Sequence, residues 1–503
     1  MTARSIHPLN AEQAIAADPA GNVWLTASAG TGKTQVLAAR VLRLLMRPGV
    51  RAENILCLTF TKAGAAEMAT RIQQTLAGWV RAKGAVLAAD LAAIGEDHGP
   101  AMQDYARTLF AQVIDSPGGG LRIQTIHSFC QTILAGFPIE AGLIPGFQPL
   151  EEREQASLRR EALSDMLGDA ERDGRLGLVD KVKALSLRLG EDGATRFLYR
   201  CGAHGPALDA MTGDIAPRLR RALDLPAGDI MAHLAGLCGD DAFDCSGLRT
   251  IADAARRWNA RTGADHADAI ETWLAADPAR RADTVAELLA RLMTKGGTLR
   301  AEFNPDKQLG AVGDLARDYA ARLGDLAALP GRAAFIDDLA GALEAGREYA
   351  RSYAALKRAR GVVDFDDLIA RTVELLRDGR MADWIRYKLD RSIDHILVDE
   401  AQDTNPQQWA IVRALSEEFF AGSGAKDEKL RTLFAVGDFK QAIYGFQGTS
   451  PYAFAGARLR FAQLANDAGK PLHDVALATN YRSTPPVLAF VDRLFARVGA
   501  DVL

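Results

Sequence analysis

The chain has 503 residues, 48% hydrophobic and 25% charged, with a formal net charge of −4. This balance supplies a sizeable core and excludes a disordered chain, a collagen-like chain and a small disulfide-stapled scaffold; the length suits about three domains, or two with a large insertion. The acidic total argues against a compact basic nucleic-acid module, although one basic channel can sit inside such a total. The 60 cations are 13 lysines and 47 arginines amid abundant Ala and Gly, a compositional drift, so Arg-bearing helices are expected to be solvated faces. Five cysteines (Cys57, Cys130, Cys201, Cys238, Cys245) lack CxxC spacing and read as buried or incidental thiols rather than a metal site. No apolar run approaches the ~20 residues that span a bilayer, and the first thirty residues lack a basic start followed by an apolar core. No membrane association and a cytoplasmic location are expected.

In chain order, the apolar run 22–26 leads into SAGTGKT and then the helix-like QVLAARVLRLL. A second strand is expected at 54–60, followed by a helix from Lys62 to about Trp79. A third fits 121–125 and runs into a helix from Ser128. Further strands are expected at 393–398, 431–436 and around 474–478. Strands alternating with helices predict an α/β fold: a parallel-sheet P-loop NTPase, or RecA-like, motor domain. Between about 150 and 360 the pattern turns helical, as in Leu158, Leu163, Met166 and Leu167, or Phe335, Leu339, Leu343 and Tyr349. This stretch reads as an inserted all-helical domain, with helix breaks at 201–207, 236–247 and 323–332. Segment 421–429 reads as a polar loop. The expected organisation is a first motor part at 1–150, the insertion at 151–360, a second motor part at 361–480, and the start of a second motor domain at 481–503.

Residues 27–34 (Ala27, Ser28, Ala29, Gly30, Thr31, Gly32, Lys33, Thr34) fit a phosphate loop with Ala in its first position. Small residues let successive N–H groups curl around phosphate oxygens, and the following helix adds its positive end. Lys33 is expected to reach the β/γ-phosphates of ATP, and the Thr34 hydroxyl to ligand Mg²⁺. The alternative is a chance Gly-rich turn. In ILVDEAQD (396–403) a strand ends in two carboxylates. Asp399 suits a Mg²⁺ contact and Glu400 suits polarising water; the plain alternative is a helix cap. In VGDFKQAIYGFQG (436–448) Gln441 is a neutral amide able to sense a γ-phosphate. Tyr444 and Phe446 are either base-stacking rings or core residues. Cys201/His204 and His233/Cys238/Cys245 suggest metal only weakly and read as solvent-facing loop residues. Asp364, Asp366 and Asp367 are either a Mg²⁺ cluster or a helix start with acids at its positive end.

Together these segments resemble the superfamily-one DNA helicases of the UvrD/Rep/RecB type. LNAEQ (9–13) is similar to the family's Q motif, which implies Gln13 on the adenine. LTFTKAGAAEM (58–68) and TIHSFC (125–130) resemble its single-stranded-DNA segments, which implies DNA contacts for Phe60, Thr61, His127 and Ser128. NYRST (480–484) resembles the motif that packs Tyr481 on the adenine and sends Arg482 to the γ-phosphate. DFDD (364–367) resembles the return from the inserted domain. Gln35 stands where relatives often carry an adenine-flanking Arg, and Gln447 where many carry an Arg after the aromatic. SAGTGKT, Lys440 before Gln441 and the large insertion most resemble AddA-type helicase–nuclease subunits, with RecB-type and stand-alone UvrD/Rep-type helicases as alternatives.

The resemblance implies ATP and Mg²⁺ as cofactors and 3′-to-5′ translocation on single-stranded DNA from duplex ends, in double-strand-break repair. It also implies an AddB-type partner subunit, plus a second motor domain and a nuclease domain beyond residue 503. Two readings from other classes are a non-catalytic DNA-binding scaffold with a relic ATP fold and an ATP switch without DNA. The intact Lys33, Asp399, Glu400, Gln441 and Arg482 argue against the first; Phe60, His127 and Phe446 argue against the second.

Overall fold

The computed structural model describes residues 6–116, 120–258, 260–377, 381–420, 429–442 and 451–498. Tyr444, Phe446, Gln447 and residues 421–428 of the loop expected at 421–429 lie outside the described residues. The chain forms two compact units, Met1–Glu151 with Gly361–Leu503, and Glu152–Arg360. Among the described residues no helix is long and apolar enough to cross a membrane.

The first unit is built on six strands: β1 (Asn22–Ala27), β2 (Ile55–Thr59), β3 (Arg122–Thr125), β6 (His395–Val398), β7 (Thr432–Gly437) and β8 (Leu472–Leu477). Their order is β3-β2-β6-β7-β1-β8, and every pairing is parallel. Strands β2, β6 and β7 are buried along their whole length, which is why they read as continuous apolar runs rather than alternating ones. The sequence pattern missed a second, two-stranded parallel sheet, β4 (Gln148–Pro149) with β5 (Val362–Val363). Two residues per strand are too few to carry a period.

One face of the main sheet packs helices Ile126–Gly136, Phe365–Arg377, Pro406–Phe420 and Pro451–Asp467. There Trp24 of β1 stacks on Trp409 with ring centroids 5.4 Å apart. The other face packs Lys33–Leu45, Lys62–Arg81 and the helices of 84–114. Arg40 lies wholly within this second layer, which corrects the expectation of solvated Arg faces. Its guanidinium donates to the carbonyls of Ala16, Asp18 and Gly21 and sits 5.0 Å from the Phe434 ring centroid. A planar fork that satisfies three carbonyls can be buried where a solvated cation cannot. It ties the helix after the glycine-rich loop to the chain entering β1. The helix Pro485–Val498 leaves Leu488, Phe490 and Phe495 exposed.

The second unit is helical among the described residues, apart from a single Met293–Leu299 bridge. Its longest element, Gly313–Arg360, runs 48 residues and includes Pro330. The helix break expected at 323–332 is therefore absent. Gly324 and Pro330 disfavour a helix locally, yet the buried positions resume at Ala333, Ile336 and Ala340 on helical spacing. Phe335 is exposed and covered by Arg188, so the core-facing line runs through Ile336 instead. The breaks expected at 201–207 and 236–247 occur as turns between helices. Cys201, Cys238 and Cys245 are buried, not solvent-facing. Cys238 and Cys245 pack with Phe243 and Trp273 as small apolar side chains, and no metal-binding cluster occurs among the described residues.

His395 opens β6 fully buried, with Nδ1 2.9 Å from Thr432 Oγ1 on β7. Burial first, then the Arg40 and Lys429 cations, hold its pKa down to about 3, against 6.5 in an unfolded chain. The folded ring stays neutral where the unfolded ring protonates. Its contribution is therefore full above pH 6.5 and is lost as pH falls toward 3, by up to ~1.4 kcal/mol per pH unit. The Tm gap between parent and His395→Gln is expected to narrow as pH is lowered from 7 to about 4. A gap that stays constant would show that the ring titrates normally.

Candidate functional site

Parallel strands deliver all six C-terminal ends to one edge, the place where open α/β sheets bind ligands. From β1 the chain enters Ser28–Gly32 and then the helix Lys33–Leu45. Gly30 and Gly32 take φ values of +83° and +94°, the left-handed region that lets the loop curl. A Cβ on Gly30 would also lie 2.5 Å from Arg482 Cβ and 2.9 Å from Asn480 Oδ1, so the loop and the segment after β8 touch there. Gly32 provides no side-chain cap, which leaves the first-turn N–H groups directed at the loop.

The Q segment and the β8 exit brace this loop. The Gln13 amide donates to Thr31 O at 3.1 Å and accepts from Asn10 N at 3.1 Å, so it is a buried strut of the loop. Tyr481 donates its backbone N–H to Gly30 O at 2.8 Å, and its hydroxyl accepts from Asn10 Nδ2 at 3.0 Å. Asn480 donates to Ala29 O at 3.0 Å while accepting from the backbone of Arg482 and Ser483. Gln35 donates to His7 O at 2.7 Å. Tyr481 and Arg482 are exposed, and Thr34 is half-buried.

Across the end of β7 lie the acids of β6. The Lys33 side chain, 14% exposed, places Nζ 3.4 Å from Glu400 Oε2. Glu400 itself is left-handed at φ +49°, a strained conformation for a side chain with a Cβ. Asp399 Oδ1 accepts from Glu400 N at 2.9 Å. Burial first, and then the Glu400 charge, push the Asp399 carboxyl up to about 6. Asp403 is likewise pushed up to about 6, by burial and then by Glu400. Three acids thus share one lysine, an imbalance that a divalent cation would correct. The helix-cap alternative for the acid pair does not hold. Helix Pro406–Phe420 is capped instead by Asn405 and Gln408, whose side chains bond each other's backbone N–H at 2.9 and 3.0 Å.

Sequence reasoning missed the residues that join β6 to β7. Gln402 donates to Glu400 Oε2 at 2.7 Å and accepts from Asp438 N at 3.0 Å. Asp438 accepts from Gln441 Nε2 at 2.6 Å and from Lys440 N at 3.1 Å. A Cβ on Gly437 would lie 2.7 Å from the Gln402 amide oxygen, so glycine there is what admits the amide. The signal was present in DEAQD and GDFKQ, but nothing in either segment says that the two meet.

At the β2 and β3 ends, Thr61 caps helix Lys62–Arg81 by accepting from Gly64 N at 3.0 Å, and Phe60 is half-buried beside it. Thr125 caps helix Ile126–Gly136 by accepting from Ser128 N at 3.1 Å, placing His127 and Ser128 in its first turn. His127 packs edge-on to Phe365 at 5.2 Å, and burial lowers its pKa. Asp364 and Asp367 bond each other's backbone N–H at 2.9 and 3.1 Å, the geometry of a helix start rather than of a metal cluster.

The UvrD/REP helicase N-terminal domain model matches residues 9–194 and 325–461, well over half of the chain. The chain belongs to the UvrD/REP helicase family. Three similar curated proteins are each named as AddA, an ATP-dependent helicase/nuclease subunit. The one from Pelotomaculum thermopropionicum is 28% identical over 95% of this chain, and the one from Lactobacillus delbrueckii subsp. bulgaricus 28% over 96%. A third, from Bacillus mycoides, is 26% identical over 95%. The chain spans 37%, 39% and 38% of these relatives' own lengths. For this UvrD/REP chain, Gln402→Ala is expected to cost ~1–3 kcal/mol in urea unfolding at pH 7, because it leaves the buried Asp438 N–H without its acceptor. Unchanged stability would show that the amide joins nothing.

Proposed function

We propose that the chain is the ATP-hydrolysing motor part of an AddA-type DNA helicase–nuclease. It translocates 3′-to-5′ on single-stranded DNA from duplex ends in double-strand-break repair, with an AddB-type partner. The observation that carries this reading is Lys33 facing Glu400 at 3.4 Å, the glycine-rich loop on one side and the paired acids on the other. The names of the relatives support the AddA assignment.

The residues at the sheet edge fit Mg-ATP. The loop 27–34 and the open N-terminus of helix Lys33–Leu45 hold the phosphates, with Gln13, Gln35 and Tyr481 on the adenine side. Thr34 and Asp399 hold Mg²⁺, which neutralises charge on the transferring phosphoryl group. The Asp399 carboxyl, pushed up to about 6 by burial and then the Glu400 charge, is an oxygen ligand whose ionised form a divalent cation would favour. The Lys33 ammonium, 3.4 Å from Glu400, would contact the β/γ-phosphates of a bound nucleotide. Gln402, bonded to the same Glu400 oxygen, keeps the carboxylate in place to accept a proton from the attacking water. Gln441 and Arg482 complete the surroundings of the γ-phosphate. Gln441 is tied through Asp438 to Gln402, which links it to Glu400. Phe60, Thr61, His127 and Ser128 meet the DNA strand on the neighbouring strand ends, and Tyr444 and Phe446 stack on bases.

Lys33→Ala is expected to lower ATP turnover by ~10³ or more, because its contact strengthens as the phosphoryl group transfers. Normal turnover in a folded variant removes Lys33 from the site. Glu400→Gln is expected to retain Mg-ATP binding, read by a fluorescent nucleotide, while hydrolysis stops. Asp399→Asn is expected to abolish the Mg²⁺ dependence of that affinity. Equal loss of affinity in both variants would contradict the separate roles.

A further inference from the structure

Between helices Phe365–Arg377, Pro406–Phe420 and Pro451–Asp467 lies a cavity of about 270 Å³. Arg377, Arg413 and Arg460 line it, and among the described residues guanidiniums are the only charged groups of its wall. Trp409, Phe461 and small residues such as Ala410 and Gly456 make up the remaining wall. Arginines nearby are paired: Arg371 with Glu374, Arg386 with Asp383, and Arg458 with Asp474. No ion pair holds Arg377, Arg413 or Arg460 among the described residues. Burial lowers the Arg413 pKa, and the Arg377 and Arg460 charges lower it further. Glu417, the acid that opposes them, already lies 3.8 Å from Arg386. Arg377 and Arg460 are exposed and Arg413 is half-buried, so the three cations line one open wall that an anion can reach.

The lining decides what kind of anion fits. Guanidinium forks match the oxygens of phosphate. Trp409 is only 6% exposed and is committed to stacking on Trp24, so it offers no face to a base. Among the described residues the wall carries no side-chain amide, hydroxyl or carboxylate with which to satisfy a peptide backbone. Ala and Gly in the wall allow a close approach. Pro406 and Ala453 lie in the first turns of helices that follow β6 and β7, while Arg413 and Arg460 lie about two turns or more further along them and Arg377 ends the helix whose start, Phe365, packs on His127, so the arginines sit away from the strand ends that carry Phe60 and His127.

We propose that this cavity is a second nucleic-acid contact, in which Arg377, Arg413 and Arg460 take a backbone phosphodiester of a DNA strand without reading its bases. The proposal rests on the DNA-translocase reading above and adds a site to it. A site of this kind contributes affinity and salt dependence but no sequence preference.

The test is the affinity of the 503-residue chain for fluorescein-labelled oligodeoxythymidylate, by anisotropy, across about 50–200 mM NaCl. Removing two of the three arginines that hold the phosphodiester with Arg413→Gln/Arg460→Gln is expected to reduce the slope of log K against log salt by up to about 0.7, the share of one phosphate. Arg458→Gln, on the same helix but already paired, is expected to leave the slope unchanged, and Arg460→Lys to retain it. Unfolding in urea checks that the double variant is folded, and removing the mutual repulsion should leave its midpoint at or above the parent's. An unchanged slope in the double variant overturns the proposal, as does an equal loss in Arg458→Gln. If polyglutamate binds through the same arginines while the DNA slope stays constant, the cavity docks an acidic protein and the proposal falls. If the parent binds no oligonucleotide at low salt, the translocase reading itself fails, an outcome distinct from an unchanged slope.

Discussion

The candidate site hangs on the parallel register of six strands. Val398 of β6 pairs with Ala435 of β7, and Leu25 of β1 pairs with Val436, so the next few residues of each strand leave the sheet together. That register alone brings residues 28–33, 399–403 and 437–441 within hydrogen-bonding reach of one another. A one-residue slip of β6 would turn Asp399 and Glu400 toward opposite faces and break the contact with Lys33. The burial of Trp24 against Trp409, and of Arg40 beneath the loop leading into β1, resists such a slip.

Electrostatics at that edge are set against the resting state. Glu400 occupies a left-handed backbone, and Asp399 and Asp403 resist ionisation because burial and a third acid surround them. Lys33 answers only part of that charge. Strain and charge surplus of this kind cost stability. Gln402 and Asp438 add a polar bridge from the acids to Gln441. The two ends are thus joined through two side chains as well as through the backbone.

The helical unit obeys a different constraint. Its long helix Gly313–Arg360 is held by packing on successive neighbours, with Tyr349 bonded to Arg159 O at 3.2 Å and stacked on Tyr353. Packing of this extent overrides Pro330 and Gly324, which on local propensity alone would end the helix. The buried cysteines follow the same logic. In a core of Leu, Ile and Trp a thiol is a small apolar side chain, and burial raises the pKa of Cys201 to about 11, away from reactivity.

By itself the sequence determined the strands of the main sheet, the turn chemistry of SAGTGKT and the acid pair of ILVDE. These are local: period, glycine placement and residue type act over fewer than ten neighbours. It also carried the change to helical periodicity near residue 150 and back near 360. Only the tertiary structure decided that β6 and β7 lie between β2 and β1, because strand order is set by which faces can be buried together. It alone decided that Gln13 and Asn480 brace the loop, that Gln402 meets Asp438, and that Arg40 is interior while Arg377, Arg413 and Arg460 converge. Each of those depends on contacts between residues tens to hundreds of positions apart. A long polar side chain reads the same in sequence whether it ends in water, on a carbonyl or beside two like charges.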